Sequence, residues 1–286
     1  MSENEKNRVE GGTLYLVATP IGNLADISER AKKVLAEADF VAAEDTRNSA
    51  RLLAAYGIHA ELVSYHEHNR RESGGRILAR LLAGESCALV TDAGMPAISD
   101  PGEDLVALCA EAGVPVRIVP GCCAAVSALA LSGLPTARFC FEGFLPAKAG
   151  ERRARLAALV GEERTMIFYE APHKLRATLT DMVAAFGEGR RVALCRELTK
   201  LNEQAHRTTL GGAVSHYEAV EPRGEYVLVL EGGVAVKDNP LSEFTPEEHV
   251  AHYEREGHGR MDAIKLAAKD RGMTKSELYK LLHGNG

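Results

Sequence analysis

The chain has 286 residues, 45% hydrophobic and 26% charged, with 34 basic against 40 acidic side chains and a formal net charge of -6. Such a balance describes a soluble globular protein with a prior of two domains, and it excludes a chain that is basic all over; a local basic face stays open. No run approaches the roughly 20 apolar residues of a membrane helix, and the polar start Met1–Glu10 is no secretory signal, so a cytoplasmic protein with a disordered stretch at residues 1–11 is expected.

In chain order, Thr13–Ala18 is an apolar, β-prone run that ends in Thr19-Pro20-Ile21-Gly22-Asn23, a loop with two strong breakers. Asp26 and Glu29 have capping-box spacing, and Ile27, Ala31, Val34, Leu35 and Ala38 recur at helical intervals. Phe40–Ala43 reads as a strand that delivers Glu44-Asp45-Thr46-Arg47, and the next helix stops at Tyr56-Gly57. Glu61–Tyr65 is a third strand, followed by a helix containing Arg76–Leu82. Cys87–Val90 is short and wholly apolar, as a strand buried on both faces is. It runs into Thr91-Asp-Ala-Gly94, where a glycine allows close approach of backbone to a ligand. Asp100-Pro101 resembles an N-cap with proline at the first position of a helix over Asp100–Glu111. Val114–Val119 then ends in Pro120-Gly-Cys-Cys123, before a small-residue helix over Ala124–Leu131.

Strand and helix thus alternate five times in about 120 residues, which argues an α/β fold with a parallel sheet covered on both faces. Ligand loops in such sheets lie beyond the carboxyl ends of the strands. Ser132-Gly-Leu-Pro135 reads as a boundary. Beyond it, Phe139–Phe144, Thr165–Tyr169, Arg191–Cys195 and Glu225–Leu230 read as strands, with helices over Ala149–Val160 and from Pro172 to Phe186. The stretch from Lys200 to Gly224 carries no clear pattern. Residues 234–241 look like a linker, and Met261–Lys269, Gly272 and Thr274–Leu282 read as helix, turn, helix on a basic tail. The expected domains are 12–133, 134–233 and 242–286.

Several chemistries find no support. There is no G-x-x-x-x-G-K-[ST] for a nucleotide phosphate and no G-x-G-x-x-G after the first strand. The six cysteines include no C-x-x-C pair and read as reduced thiols, and the ten histidines show no zinc spacing, so no metal is expected. A magnesium-dependent phosphoryl-transfer site built from Asp45, Asp92, Asp100 and Asp104 is a remote alternative, since hard cations want oxygen ligands. A non-catalytic RNA-binding assembly factor is another.

Eight segments carry a resemblance: residues 19–28, Ala43-Glu-Asp-Thr-Arg47, residues 91–102, Val119-Pro-Gly121, Glu142-Gly-Phe-Leu-Pro146, Phe168-Tyr-Glu-Ala-Pro-His173, Arg196-Glu-Leu-Thr-Lys200 and Gly224-Glu225. In order and spacing they resemble the bacterial small-subunit ribosomal RNA methyltransferases of the tetrapyrrole methylase superfamily, the class III S-adenosylmethionine-dependent methyltransferases. The resemblance covers residues 12 to about 233 and, more loosely, the tail as a helix-turn-helix-like extension. It implies two α/β domains with the cofactor S-adenosylmethionine in the cleft between them, a homodimer, and 2′-O-methylation of a cytidine ribose in the decoding region of 16S rRNA within the small ribosomal subunit, with neither DNA nor membrane as partner. A tetrapyrrole or other small-molecule substrate is the alternative within the superfamily. Carried across by motif, the cofactor contacts fall on Pro20, Asp92, Gly94, Met95, Cys123, Ala124, Tyr169, Leu198 and Glu225. Relatives usually have a small residue, often Pro, after the Pro-Gly of the fifth strand, where Cys122-Cys123 stand here. A ribose hydroxyl is a weak nucleophile, so a base at the cleft edge would help; the candidates are Glu44, Asp45, Glu170, Glu197 and Lys200. Arg47 and Arg196 would bind RNA phosphate or pair with neighbouring acids.

Overall fold

A computed structural model describes residues 7–233 and 244–283. Its first sheet has the order β3-β2-β4-β1-β5, with β1 Leu14–Val17, β2 Phe40–Ala43, β3 Leu62–Ser64, β4 Cys87–Val90 and β5 Val116–Val119, all parallel. Successive strand residues point to opposite faces, and this divides them between two cores. Tyr15, Val17, Val41, Ala43, Ala88 and Val90 pack with Ala31, Val34 and Leu35 of α1 (Glu29–Glu37) and Leu53 of α2 (Thr46–Ala55). Leu14, Phe40, Ala42, Cys87 and Leu89 pack instead with Ile77 and Leu81 of α3 (Arg70–Leu82) and Leu105 and Cys109 of α4 (Glu103–Glu111). The run Cys87–Val90 is uniformly apolar because it has no solvent face.

The second sheet has the order β6-β7-β10-β8-β9, with β6 Phe139–Phe144, β7 Thr165–Glu170, β8 Arg191–Arg196, β9 Gln204–Thr209 and β10 Tyr226–Leu230. Only β6 and β7 are parallel; β10 runs antiparallel to both its neighbours and β9 antiparallel to β8. One face is covered by α6 (Ala149–Ala158), α7 (Pro172–Phe186) and α8 (Leu210–Ala219), through Leu156, Leu175, Leu179, Met182, Leu210 and Tyr217. The other face packs on Ala125, Ala128 and Leu129 of α5 (Ala124–Ser132). By packing, then, the helix after β5 belongs with the second sheet, and the chain crosses between the two layers at residues 120–123. Both sheets lie in one compact unit through Gly233, and residues 234–286 form a second.

Several local expectations are corrected. Ser28 caps α1, accepting from the Ala31 amide at 3.0 Å, so Asp26 is not its cap. A further strand and helix, β9 and α8, occupy the stretch after Lys200 that carries no clear pattern. Among the described residues the tail has three helices: α9 (Pro246–Arg255) precedes α10 (Arg260–Asp270) and α11 (Lys275–His283), around Val250, Ile264, Ala267, Ala268 and Leu278. Thr245 and Glu248 make the capping box that begins α9. The expected disordered start lies outside the described residues up to position 6, but its end is held: the Glu10 amide donates to the Tyr15 hydroxyl at 2.8 Å and its carboxylate pairs with Arg117. The expected linker 234–241 lies outside the described residues. The cysteines are free. Among the described residues, no helix is long and apolar enough to cross a membrane.

Candidate functional site

Since β1, β2, β4 and β5 are parallel, their carboxyl ends share one edge, and β4 stands between β1 and β2. The loop after it, residues 91–102, is therefore central at that edge. It is stitched to the loop after β1 by an antiparallel bridge, in which the Thr19 amide donates to the Gly94 carbonyl at 2.9 Å and the Gly94 amide to that of Thr19 at 3.1 Å. In the second sheet, Tyr226 is in register with both Glu170 and Arg196, so the end of β7, the end of β8 and the start of β10 also meet at one edge.

The two edges enclose a cleft of about 630 Å³. From the first layer it is lined by Ile21, Glu44, residues 91–95 and 98–100, and from the crossing by Cys123 and Ala124. The second layer supplies Phe144, Tyr169, Glu170, residues 195–198, Lys200 and residues 224–227. Glu44, Glu170, Glu197, Lys200, Asp92, Gly94, Met95, Cys123, Ala124, Tyr169, Leu198 and Glu225 thus come together, from segments up to 181 positions apart in the chain, from Glu44 to Glu225. Pro20 and Asp45 do not line it.

Asp45 is occupied elsewhere. Its carboxylate caps α2 by accepting from the Arg47 amide at 2.8 Å and pairs with the Arg47 guanidinium, which holds its pKa down to about 2. A carboxylate so weakly basic is a poor proton acceptor at neutral pH. Glu170 is 2% exposed and accepts from the Thr178 hydroxyl at 2.6 Å and from the Ala171 amide at 2.9 Å, so both its carboxylate oxygens are occupied at the start of α7. Glu197 is paired with Lys200 at 3.0 Å. Arg47 takes the pairing alternative, whereas Arg196 donates to the neutral Gln204 side chain at 2.8 Å. The remote magnesium set is broken up as well: Asp45 holds Arg47, and Asp104 accepts from the Tyr65 hydroxyl.

Asp100 is the residue that sequence reasoning placed wrongly. It does not cap a helix over Asp100–Glu111: α4 starts at Glu103, behind Gly102 with φ 144° and no side-chain cap. The Pro101-Gly102 pair keeps Asp100 out of the helix and leaves its carboxyl to the cleft, in hydrogen-bonding reach of the Thr91 hydroxyl, which also donates to Glu44 at 3.0 Å. Burial, and then the charge of Glu44, push the Asp100 carboxyl up to about 6, with Asp92 and Glu225 adding to the rise. The available signal was the glycine directly after the proline, which delays the helix start.

Tyr169 accepts from the Ala125 amide at 3.2 Å and packs edge-on against Phe141 and Phe144, with ring centroids 5.0 and 5.5 Å away. Burial pushes its phenol up to about 12, so it stays protonated. Ala97, Ser99, Glu197 and Thr199 are the non-glycine residues with positive φ among the described residues, at 68°, 61°, 52° and 65°. All four stand in the two loops that face each other across the cleft. Such conformations cost about 1 to 3 kcal/mol each and cluster where a site over-determines the backbone.

Ile21, Met95, Leu198 and Val227 offer an apolar slot, and Asp92, Glu225, Glu44 and Asp100 bring carboxylates to it. That set suits a nucleoside-bearing cation, an aromatic base for the slot and hydroxyl and amino groups for the acids.

A family model described as Tetrapyrrole (Corrin/Porphyrin) Methylases matches residues 13–214, and the chain belongs to that family. It is 46% identical over 284 residues, 98% of each chain, to the "Ribosomal RNA small subunit methyltransferase I" of Halalkalibacterium halodurans, and 44% identical over 282 residues, again 98% of each, to the protein of that name in Escherichia coli O157:H7. Solved structures share its fold: a uroporphyrin-III-C-methyltransferase from Thermus thermophilus covers 76% of this chain, with 94% of its own, at TM-score 0.55 and 21% identity, and a diphthine synthase covers 77%, with 90% of its own, at 0.58 and 15%. The expected fold class and methyltransferase assignment hold.

Proposed function

We propose that the chain transfers the methyl group of S-adenosylmethionine to the 2′-hydroxyl of a cytidine in the decoding region of 16S rRNA. The observation that carries this reading is the cleft, in which loops from both sheets that bear the family's motifs converge on one apolar slot rimmed by acids. The naming of the near-full-length relatives supports ribosomal RNA as the substrate.

When bound, the cofactor supplies an electrophilic methyl group on a sulfonium. Ile21, Met95, Leu198 and Val227 would grip its adenine, Asp92 and Glu225 its hydroxyl and amino groups, and the backbone at Gly94 and Ala124 would pass close to it. Pro20 is buried in the loop after β1 and does not line the cleft. Most of the rate enhancement expected of such a site comes from holding the hydroxyl in line with the methyl carbon. Asp100 is the carboxylate we assign as base, because a pKa of about 6 leaves it ionised at neutral pH and still basic enough to take the ribose proton. Glu44, which accepts from the Thr91 hydroxyl at 3.0 Å, shares that role, and the Lys200–Glu197 pair stands at the opposite wall. The substrate ribose must be splayed out to enter, and its 2′-hydroxyl is what distinguishes RNA from DNA. A homodimer, a cytoplasmic location and the helical tail as an added RNA contact complete the reading.

Incubation with small ribosomal subunits lacking the modification and with methyl-labelled cofactor tests it. Nuclease digestion followed by mass spectrometry should find the label in 2′-O-methylcytidine. Label on a base, or on no RNA at all, would overturn the reading.

A further inference from the structure

Beside the cleft lie two smaller cavities of about 280 and 430 Å³. Arg196 lines both of them and the cleft as well, and Arg223 lines both. The three spaces therefore adjoin one another, with Arg196 as a shared wall, along a path around the end of β8 and the turn before β10. Gly224 makes this possible: with φ 72°, it lets the Arg223–Glu225 backbone run so close to the Glu197 side chain that a Cβ would stand 2.7 Å from Oε1.

The charges along that path are unequal in what they already bind. The two acids that line the smaller cavities have cations of their own, Glu197 with Lys200 at 3.0 Å and Glu221 with Arg176 at 2.8 Å. Among the described residues, neither of the two arginines is paired with a carboxylate. Arg196 donates its Nε to the neutral Gln204 side chain at 2.8 Å, and among the described residues the Arg223 guanidinium makes no hydrogen bond or ion pair, only its backbone amide donating to the Tyr226 hydroxyl at 3.2 Å. Many other arginines of this chain are in ion pairs: Arg47, Arg80, Arg152 and Arg191 hold Asp45, Glu61, Asp181 and Glu231. Two planar, bidentate donors left uncompensated along a concave path suit a phosphodiester.

We infer that Arg196 and Arg223 form a phosphate-binding track for the RNA backbone flanking the methylated nucleotide, adjoining the cleft. The inference rests on the proposed function and adds to it how the substrate is held. Phosphate contacts of this kind fix register and carry no base specificity. They set the orientation of the strand so that one ribose reaches the methyl-transfer position.

The test uses the full chain and small ribosomal subunits, with methyl transfer followed as a function of subunit concentration at several salt concentrations. Arg223→Gln should raise KM for the subunit about five- to tenfold and flatten the slope of log(kcat/KM) against log salt by about 0.7, the value of one lost phosphate contact to a single strand. Arg223→Lys should restore most of the slope, because it keeps the charge and loses only the fork. Arg196→Gln should repeat the change in slope. Calorimetric affinity for S-adenosylmethionine should match wild type in the Arg223 variants, which shows that they are folded. Wild-type KM and salt slope in Arg223→Gln and Arg196→Gln would overturn the track while leaving the proposed function standing. Failure of the wild type to methylate subunits would overturn that function and the track with it.

Discussion

At the scale of single residues, the acids that face each other around Thr91 govern what this site can do. Asp100 is held near pKa 6 by burial and by Glu44, against an ordinary value of 3.8. The folded protein thus binds the Asp100 proton more tightly than the unfolded chain, and its stability falls as pH rises through the window from about 4 to about 6. Asp100→Asn removes that penalty. It should raise the melting temperature at pH 7.5 by about 2 to 4 °C, with the difference shrinking to nothing below pH 4, in a calorimetric scan across pH. The same variant should lower kcat about 100-fold or more, and the wild-type kcat/KM should climb as pH passes through about 6. A variant less stable than wild type at pH 7.5 would contradict the raised pKa. Most of these residues were legible in the sequence because they sit in motifs at strand ends. Asp100 was not, since an Asp before a proline resembles a helix cap, and Asp45 misled in the opposite sense: it lies one residue beyond Glu44 and serves α2.

At the scale of elements, the strands of the first sheet were legible because burial on both faces leaves short, wholly apolar runs between glycine and proline loops. The pair β9 and α8 was not. Gln204-Ala-His-Arg-Thr-Thr209 is a polar edge strand, paired on one side only, to β8, and α8 opens with Leu210-Gly-Gly212, which weakens any helical pattern. Between β8 and β9 runs the loop carrying Glu197 and Thr199 with positive φ. Thr199 is β-branched, and its hydroxyl is buried with no partner among the described residues. Thr199→Gly should therefore stabilise the protein, by about 1 kcal/mol in urea denaturation, since relief of the strain exceeds the entropy that glycine adds to the unfolded chain. It should also raise KM for the subunit, because the loop that presents Lys200 is less firmly set. Loss of stability would show that the loop is not strained.

At the scale of the whole molecule, the chain comprises a catalytic unit whose two layers supply one cleft and a helical unit with a core of its own. The two-layer plan was legible from the motif order. Less legible was the packing of α5 on the second sheet, since a helix of small residues has no marked apolar stripe to assign it to one partner. In the helical unit, Ile264 is fully buried among Val250, Ala267 and Leu278. Ile264→Ala should destabilise that unit by about 2 to 4 kcal/mol. Hydrogen exchange should then show lost protection over residues 246–283, while cofactor affinity stays at the wild-type value because, among the described residues, all that line the cleft lie before position 234. A matching loss of cofactor affinity would contradict the division of labour.

The most direct measurement of the central claim is calorimetric titration of the full chain with S-adenosylmethionine, beside Asp92→Asn and Met95→Arg. One site per chain, weakened about tenfold or more by the loss of the Asp92 charge and abolished by the arginine that fills the apolar slot, is the predicted result. No binding, or binding that neither substitution disturbs, would contradict the assignment of this cleft to the methyl donor.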